Sequence, residues 1–159
     1  MANPAIRIEE TDPQSPEALS LIREAALEAR HLYPEFIDPN APMPTNSPLP
    51  PRGAYFIAFL DTELVGCGAL RPVDELTAEV RRMYVLPSAR RTGVGRALLT
   101  YLERMASQLG FKTIRLETGN RQRAAMALYE SYEFVRVPAF GEHLNDPTSV
   151  CYEKRVCAE

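Results

Sequence analysis

The chain has 159 residues, of which 45% are hydrophobic and 25% are charged, and its formal net charge at pH 7 is −3. This length and composition predict a single globular domain over residues 1–159, with enough apolar residues to form a core. Proteins dedicated to nucleic acids or anionic membranes need large cationic surfaces, so the net negative charge argues against both kinds of partner.

The cysteines and the hydropathy pattern indicate the compartment. Cys67, Cys151 and Cys157 are an odd number without disulfide-framework or zinc-site spacing, and each lies within or close to an apolar run. We interpret them as structural thiols in a reducing compartment and expect no metal cofactor. Neither the first residues, 1–11, nor any other segment has the pattern of a signal peptide or a membrane span, so we expect a cytoplasmic protein.

The first third of the chain predicts a strand, a helix and a long loop. Residues 6–9 alternate apolar and polar side chains, and Ser15-Pro16-Glu17 is typical of a helix start. Seven of the 14 prolines then fall in residues 34–51. Prolines at this density favour neither helix nor ladder pairing. We expect a surface loop that is either a wall or lid of an acceptor site or a disordered segment.

The middle of the chain predicts an antiparallel meander followed by a βαβ unit. Ala54–Leu60 and Leu64–Leu70 are apolar runs joined by a short polar turn, and Glu79–Val85 forms a third strand. Apolar residues at helical spacing follow from Val94 to Leu109, and Gly110 suits a left-handed helix end. Lys112–Thr118 then alternates as a strand.

The last third predicts one more helix and a final strand. Residues 121–132 group Ala125, Leu128 and Tyr129 on one side of a helix, and Ser149–Val156 alternates as a strand.

The turn between strand 79–85 and helix 94–109 predicts an anion site. Arg90-x-x-Gly93-x-Gly95 opens the helix, where backbone N–H groups and the helix dipole favour negative charge. Arg90, Arg91 and Arg96 add cationic donors that suit a diphosphate. The alternative is an ordinary turn with solvated arginines. A P-loop is excluded because no Gly-Lys-Ser/Thr follows, and a dinucleotide fingerprint because its third glycine and acidic partner are missing.

Three ordered blocks of sequence resemble the GNAT acyltransferase superfamily. They are Ala78-Glu79-Val80-Arg81-Arg82-Met83-Tyr84-Val85, the Arg90-x-x-Gly93-x-Gly95 loop, and Ala125-x-x-Leu128-Tyr129 with Phe134 beyond it. The resemblance covers residues 55–154. It implies an α/β (α+β) fold with a mixed, mostly antiparallel central sheet, helices on both faces and a βαβ unit that binds the cofactor.

The resemblance also implies acetyl-CoA as the acyl donor. The pantetheine arm would lie beside the strand at Met83, Tyr84 and Val85. The pyrophosphate would lie on the loop at Arg90, Arg91, Thr92, Gly93, Val94, Gly95 and Arg96. Gln122 stands seven residues before the helix Tyr, where the family often has Asn.

The sequence departs from the family pattern at two further positions. The family favours Gly before the Phe that follows the Tyr-bearing helix, but this chain has Glu133 before Phe134. A smaller bacterial branch ends in Phe-Gly, a Tyr, and Ser-Val-Cys with an aromatic-Glu-Lys tail. This chain has Phe140-Gly141 and 149–154 in that pattern, with His143 in place of the Tyr.

Transfer to an alkylamine needs a base, because the free amine has a pKa of about 10.4 and is mostly protonated at neutral pH. We predict that Glu79 is this base, because some histone-modifying GNAT members have their base at the matching position. Glu117 on the neighbouring strand is the less favoured candidate. The alternative role of Glu79 is pairing with Arg81 or Arg115. Tyr129 is predicted as the general acid for the leaving thiolate, with a core aromatic as the alternative.

An acylated cysteine is the competing mechanism, and it is disfavoured because neither Cys67 nor Cys151 has an adjacent His. Arg71 and Arg82 are candidates to clamp an acceptor carboxylate, or are solvated strand charges. The predicted function is acetyl-CoA-dependent N-acetylation of a small primary amine, such as an amino acid or an amine metabolite. The alternatives are a protein Nα- or lysine acetyltransferase and a non-catalytic coenzyme-A-sensing module. The resemblance also makes a homodimer possible.

Overall fold

The computed structural model describes residues 5–156, which form seven β-strands and three α-helices. The elements in chain order are β1 (Ile6–Glu10), α1 (Pro16–Leu32), β2 (Ala54–Leu60), β3 (Glu63–Pro72), β4 (Thr77–Val85), α2 (Val94–Gln108), β5 (Thr113–Gly119), α3 (Arg123–Ser131), β6 (Val135–Val137) and β7 (Ser149–Arg155). Short 3₁₀ turns lie at Pro87–Ala89 and Gly141–His143. All the predicted helices and strands are present, with ends shifted by a few residues, whereas Cys157 lies outside the described residues.

One mixed sheet carries the fold. In the described part of the chain its strand order is β1-β2-β3-β4-β5-β7-β6, and β4 and β5 are parallel while the other neighbours are antiparallel. Since α2 connects the two parallel strands, the predicted βαβ unit is confirmed. None of the helices within residues 5–156 has the length and apolarity that a membrane crossing requires.

Helices cover both faces of the sheet, as predicted. Tyr55 and Ile57 of β2 pack with Leu21 of α1 on one face. Phe56, between them in the strand, packs on the opposite face with Leu102 of α2. Successive strand residues point to opposite faces, so a strand buried on both sides is a continuous apolar run, which is the pattern that β2 has. Helix α3 joins the α2 side through the buried Tyr129.

Strand β6 was not predicted from sequence. It has three residues, pairs with β7 from Val135↔Glu153 to Val137↔Cys151, and lies at the outer edge of the sheet. A three-residue segment is too short to show an alternating pattern, and Val135 is 62% exposed. Its strand character is defined by pairing with β7, a partner 14 or more residues further along the chain.

Helices α2 and α3 end in the same backbone motif but with different residues at its left-handed position. After α2, Gly110 has φ 91°, and the Phe111 N–H donates to the Ala106 carbonyl at 2.9 Å. After α3, Glu133 has φ 71°, and the Phe134 N–H donates to the Tyr129 carbonyl at 3.0 Å. Both are helix ends of the Schellman type, which favours glycine. Glu133 therefore adopts the conformation for which the family pattern has glycine.

We expect Glu133→Gly to raise the free energy of unfolding by about 0.5–1 kcal/mol, because a side chain in the left-handed region costs roughly 1–2 kcal/mol and glycine loses more chain entropy on folding. Gly110→Ala is the matched opposite change and should lower the free energy of unfolding by about 1 kcal/mol. Urea denaturation of the three proteins measures both effects. A destabilised Glu133→Gly protein would mean that the carboxylate side chain contributes more than the backbone costs.

Candidate active site

The parallel strands β4 and β5 separate part of the way along their length. Their pairing runs from Thr77↔Thr113 to Val80↔Leu116, although both strands continue beyond this point. On the other side of β4, the register with β3 shifts between Cys67 and Ala69. Arg82 lies opposite this shift with φ 56°, as expected of a bulge. The bulge turns the second half of β4 away from β5 and leaves a crevice.

The crevice has a volume of about 320 Å³. Its walls come from α1, from β4 and β5 at and beyond the point where they separate, from β2 and β3, from α3 and the residue before it, and from two loops. The lining includes Ala25, Ala26 and Ala29, residues 79–84 and 116–119, and Pro44, Gln122, Tyr129 and His143. The small side chains of α1 leave the room that the crevice occupies.

Glu79 lies at the acidic end of the crevice. The residue is 9% exposed, and its Oε2 is 3.4 Å from Arg81 Nη1 and 3.3 Å from His143 Nε2. Arg81 also forms an ion pair with Glu142. The predicted alternative, an ion pair between Glu79 and Arg81, is thus present. Glu79 also lines the crevice. The two are compatible because a carboxylate has acceptor sites for several partners.

Glu117 faces the same end of the crevice from β5. Its Oε2 accepts a hydrogen bond from Ser149 Oγ at 2.7 Å and lies 3.1 Å from His143 Nδ1. Glu79 and Glu117 therefore contact opposite nitrogens of one imidazole. The sequence identified both carboxylates but not their shared partner.

His143 is the site residue that sequence reasoning did not assign. It ends the 3₁₀ turn Gly141–His143, and its ring meets the Phe140 ring edge-on at a centroid distance of 5.6 Å. The Phe140 ring in turn lies 4.0 Å from the Arg115 guanidinium carbon. The sequence did contain a signal for this residue, because His143 stands where the similar bacterial branch of the family has a Tyr.

Three of these residues have the donor atoms of a metal site. Ligand atoms of Glu79, Glu142 and His143 lie within 4.8 Å of one another. Arg81, however, contacts both carboxylates, and this lowers the pKa of Glu142 through its hydrogen bond and its charge. The Arg81 guanidinium therefore already places a positive charge beside Glu79 and Glu142.

Tyr129 lines the crevice from α3. It is 5% exposed, and its ring is 5.9 Å from the rings of Phe134 and Tyr152. Burial raises the pKa of the phenol, and the negative charge of Glu117 raises it further. Tyr129 is therefore a core aromatic, as the alternative interpretation has it, and its phenol also lines the crevice; its role as general acid stays a prediction.

The glycine loop has the backbone expected of an anion site. Gly93 precedes α2 with φ 93°, and Arg91 has φ 64°. The first N–H groups of α2, from Val94 onward, lack partners within the helix, as at any helix start. Gly95 has a different reason for being glycine. A Cβ there would lie 2.9 Å from Leu128 Cδ2, so its absence lets α2 pack against α3.

The loop arginines have different surroundings. Arg90 donates to both carboxylate oxygens of Glu28, at 2.9 and 2.7 Å, and to the Val85 carbonyl at 3.0 Å. Partial burial favours the neutral Glu28, but the hydrogen bonds from Arg90 and Tyr84 outweigh it and lower the pKa of that carboxyl. Arg96 lies 5.4 Å from the Tyr132 ring, on the side of α3. Arg91 is exposed beside the loop backbone.

Of the remaining predicted ligands of the cofactor, Met83, Tyr84 and Gln122 line the crevice, whereas Val85 at the end of β4 does not. Met83 and Tyr84 line it on the second half of β4, after the bulge. Gln122 lines it at the start of α3, where its Oε1 accepts a hydrogen bond from Thr118 Oγ1 at 3.2 Å. The structure thus brings the β4 edge and Gln122 to opposite walls of one crevice.

The two predicted acceptor clamps lie in different places. Arg82 Nε donates to Asn46 Oδ1 at 3.1 Å, in the proline-rich loop. Asn46 is buried, and its amide donates to the Pro13 carbonyl and to the Tyr55 hydroxyl. Arg71 is exposed on β3, opposite Glu79 in the register, and does not line the crevice. Arg82 therefore holds the loop to β4, and the loop forms a wall through Pro44.

Several known proteins resemble this chain. The family model described as "Acetyltransferase (GNAT) family" matches residues 20–134. The chain belongs to the GNAT acetyltransferase family. It is 32% identical to the IAA acetyltransferase of Azospirillum brasilense over 95% of this chain and 98% of that protein. These findings identify it as an acyltransferase enzyme.

Solved structures agree with this assignment. A Klebsiella pneumoniae protein assigned as an acyl-CoA N-acyltransferase superposes with a TM-score of 0.77 and 34% identity, over 96% of this chain and 98% of its own. The PaiA N-acetyltransferase of Thermoplasma acidophilum, solved in complex with coenzyme A, has a TM-score of 0.68 and 19% identity, over 95% and 99% of the two chains. At 19% identity, the comparison with PaiA shows that the two proteins share a fold.

Cys67 lines the crevice, yet its thiol is poorly suited to carry an acyl group. Burial raises the pKa of Cys67 to about 12, and its Sγ donates to the Arg82 carbonyl at 3.0 Å. At pH 8 only about one molecule in 10⁴ then has a thiolate, which is the nucleophilic form. Burial also raises the pKa of Cys151.

We therefore expect Cys67 and Cys151 to resist iodoacetamide at pH 8 in the native Cys157→Ser protein, and to react in denaturant. Intact-mass spectrometry counts the alkylated thiols under both conditions. The serine substitution removes the third thiol from the count. If either residue in the native protein is alkylated as fast as a small-molecule thiol, the mechanism with an acylated cysteine is again a candidate.

Proposed function

We propose that this GNAT enzyme transfers an acetyl group from acetyl-CoA directly to the primary amine of a small molecule, such as an amino acid or an amine metabolite. The observation that carries the proposal is the crevice between β4 and β5, in which Glu79, Tyr129 and the free edge of β4 meet. A base, an acid and unpaired backbone groups are the parts that acyl transfer to an amine needs.

The donor side is supported by the backbone of β4 and of the glycine loop. Beyond Val80 the β4 edge that faces β5 is unpaired with that strand, so its N–H and C=O groups are available to the amides of a pantetheine arm. The Gly93 conformation opens the start of α2 toward an anion such as a diphosphate. Bound coenzyme A in the PaiA relative, whose fold this chain shares, fits this arrangement.

The proposed reaction uses two side chains that line the crevice, Glu79 and Tyr129. Glu79 removes a proton from the acceptor ammonium, and the amine lone pair attacks the thioester carbonyl carbon. The N–H groups of the Met83 strand stabilise the oxyanion that forms. When the C–S bond breaks, the thiolate takes a proton from Tyr129, whose raised pKa keeps the phenol protonated at neutral pH.

The dimensions of the crevice favour a small acceptor over a peptide. Its volume is about 320 Å³, and the loop of residues 34–51 closes one side through the buried hydrogen bonds of Asn46. A loop held in this way resists displacement by a peptide chain. Arg71, a predicted clamp for an acceptor carboxylate, lies outside the crevice lining but close enough to Glu142 to contribute to the lowered pKa of that carboxyl.

We expect the wild-type protein to release free coenzyme A from acetyl-CoA in the presence of small primary amines. Tyr129→Phe should lower kcat by about 10²-fold, because general acid catalysis contributes roughly 10²–10⁴. Glu79→Gln should lower kcat/KM by a similar factor, because it removes the proposed base. Tyr132→Phe is the matched control on the same helix, since its hydroxyl contacts Thr100 outside the crevice, and it should keep the wild-type rate.

The same panel separates the alternatives. Faster acetylation of peptide N-termini or lysine peptides than of small amines would make the enzyme a protein acetyltransferase. Coenzyme A binding without release of thiol from any acceptor would make it a sensing module. Full turnover by Tyr129→Phe would remove the acid role from that residue and leave the function intact.

We expect the Arg90→Gln/Arg91→Gln double variant to bind coenzyme A about tenfold more weakly, a loss of about 1.4 kcal/mol, because charge-assisted contacts to the diphosphate are removed. Isothermal titration calorimetry measures this. Pantetheine, which lacks the diphosphate, should bind both proteins equally. An unchanged affinity for coenzyme A would place the diphosphate elsewhere, and equal losses for both ligands would indicate a general distortion of the crevice.

A further inference from the structure

The proposed reaction requires the base to receive two protons in each turnover. An acceptor that arrives as R–NH3⁺ loses one proton before its nitrogen can attack, and a second after the C–N bond has formed. Over the whole reaction the C–S bond breaks, Tyr129 gives its proton to the coenzyme A sulfur and regains one of the two amine protons, and the other amine proton is released. A single carboxylate cannot hold both protons, so Glu79 has to pass the first one on.

His143 lies in the position to receive that proton. Its Nε2 is 3.3 Å from Glu79 Oε2, and its Nδ1 is 3.1 Å from Glu117 Oε2. The imidazole thus connects a carboxylate of β4 to a carboxylate of β5 across the gap where the two strands have separated. Each contact is short enough for a proton to be shared along it.

In the form with a neutral imidazole and two ionised carboxylates, this arrangement has room for one extra proton. Both N···O contacts are attractive only when each of them holds a proton. A neutral imidazole carries one N–H group, so with both carboxylates ionised the other contact sets two lone pairs against each other. A proton delivered to Glu79 fills this contact. It moves to Nε2 as the Nδ1 proton moves to Glu117, and Glu79 is again a carboxylate.

The surroundings give the transfer a direction. Side-chain exposure rises along the chain of groups, from 11% for Glu79 through 15% for His143 to 23% for Glu117. A proton leaves to solvent more readily from the most exposed member. Ser149 Oγ, which donates to Glu117 Oε2 at 2.7 Å, holds that carboxylate in place.

Neutralising the charges of Glu79 and Glu142 does not require His143. Arg81 already contacts both Glu79 and Glu142, the other carboxylate near the ring, and Glu142 Oε1 lies 3.9 Å from Nε2. The turn that carries His143 is held separately, through Phe140 on Arg115. A side chain that bridges two carboxylates while its turn has other anchors is suited to moving a proton between them.

We propose that Glu79, His143 and Glu117 form a proton relay, in which His143 takes the first acceptor proton from Glu79 and so frees Glu79 to take the second. The relay rests on the proposed function. In it His143 is a catalytic residue that acts on the transferred proton, and Glu117 is the terminal acceptor.

The test compares two acceptors that differ in the number of protons they must lose. One is the alkylamine with the highest rate in the acceptor panel, and the other is its β-trifluorinated analogue, whose weakly basic amine arrives uncharged and loses a single proton. His143→Gln should lower kcat/KM for the alkylamine by about 10²-fold, the scale of a lost base. The loss for the fluorinated amine should be at least tenfold smaller. Glu117→Gln, which keeps an oxygen near Nδ1, should show the same selectivity.

The controls distinguish a relay from a structural role. The chain has two histidines, and His31→Gln, at an exposed site on α1, should leave both rates at the wild-type level. Equal losses for the two amines in His143→Gln and Glu117→Gln, or no loss in either variant, would overturn the relay while the acetyltransferase activity of the wild type stands. A wild-type protein that acetylates no amine would overturn the proposed function and the relay together. Thermal unfolding of each variant shows whether a rate change comes from lost structure.

Discussion

The separation of β4 from β5 is the constraint on which the rest of the site depends. Parallel strands in a sheet normally continue their ladder, because unpaired backbone groups in the interior are costly. Here the register shift against β3 and the left-handed Arg82 turn β4 aside after Val80. The sheet gives up several ladder bonds in its centre and gains a crevice bordered by unpaired backbone. The walls of the crevice are otherwise rigid strands and helices.

The acidic end of this crevice is organised by opposing charges from several elements. Glu79 on β4, Glu117 on β5 and Glu142 in the turn before β7 would repel one another if left unpaired. Arg81 contacts two of them, and His143 contacts Glu79 and Glu117. The carboxylates are thereby kept close together, and those of Glu79 and Glu117 are mostly shielded from water. Such a group holds or moves protons more readily than isolated surface carboxylates do.

The proline-rich loop shows how one buried side chain gives order to an irregular segment. Composition left residues 34–51 open to two interpretations, a site wall or a disordered segment. In the structure Asn46 bonds with Pro13, Tyr55 and Arg82, while Arg30 donates to carbonyls at Pro39 and Ala41. These partners come from other parts of the chain. The order of the loop therefore arises from contacts that its own composition does not reveal.

The sequence by itself determined the elements whose signals are local. The 3.6-residue period of 94–109, the alternation in the strands and Gly110 at a helix end predicted the βαβ unit, and the ordered blocks predicted the family. The tertiary structure decided the contacts between distant residues. Glu79 and His143 are 64 positions apart, and β6 is a strand because β7 pairs with it. Local patterns report the conformation of neighbouring residues, whereas a site is formed where the folded sheet brings remote side chains together.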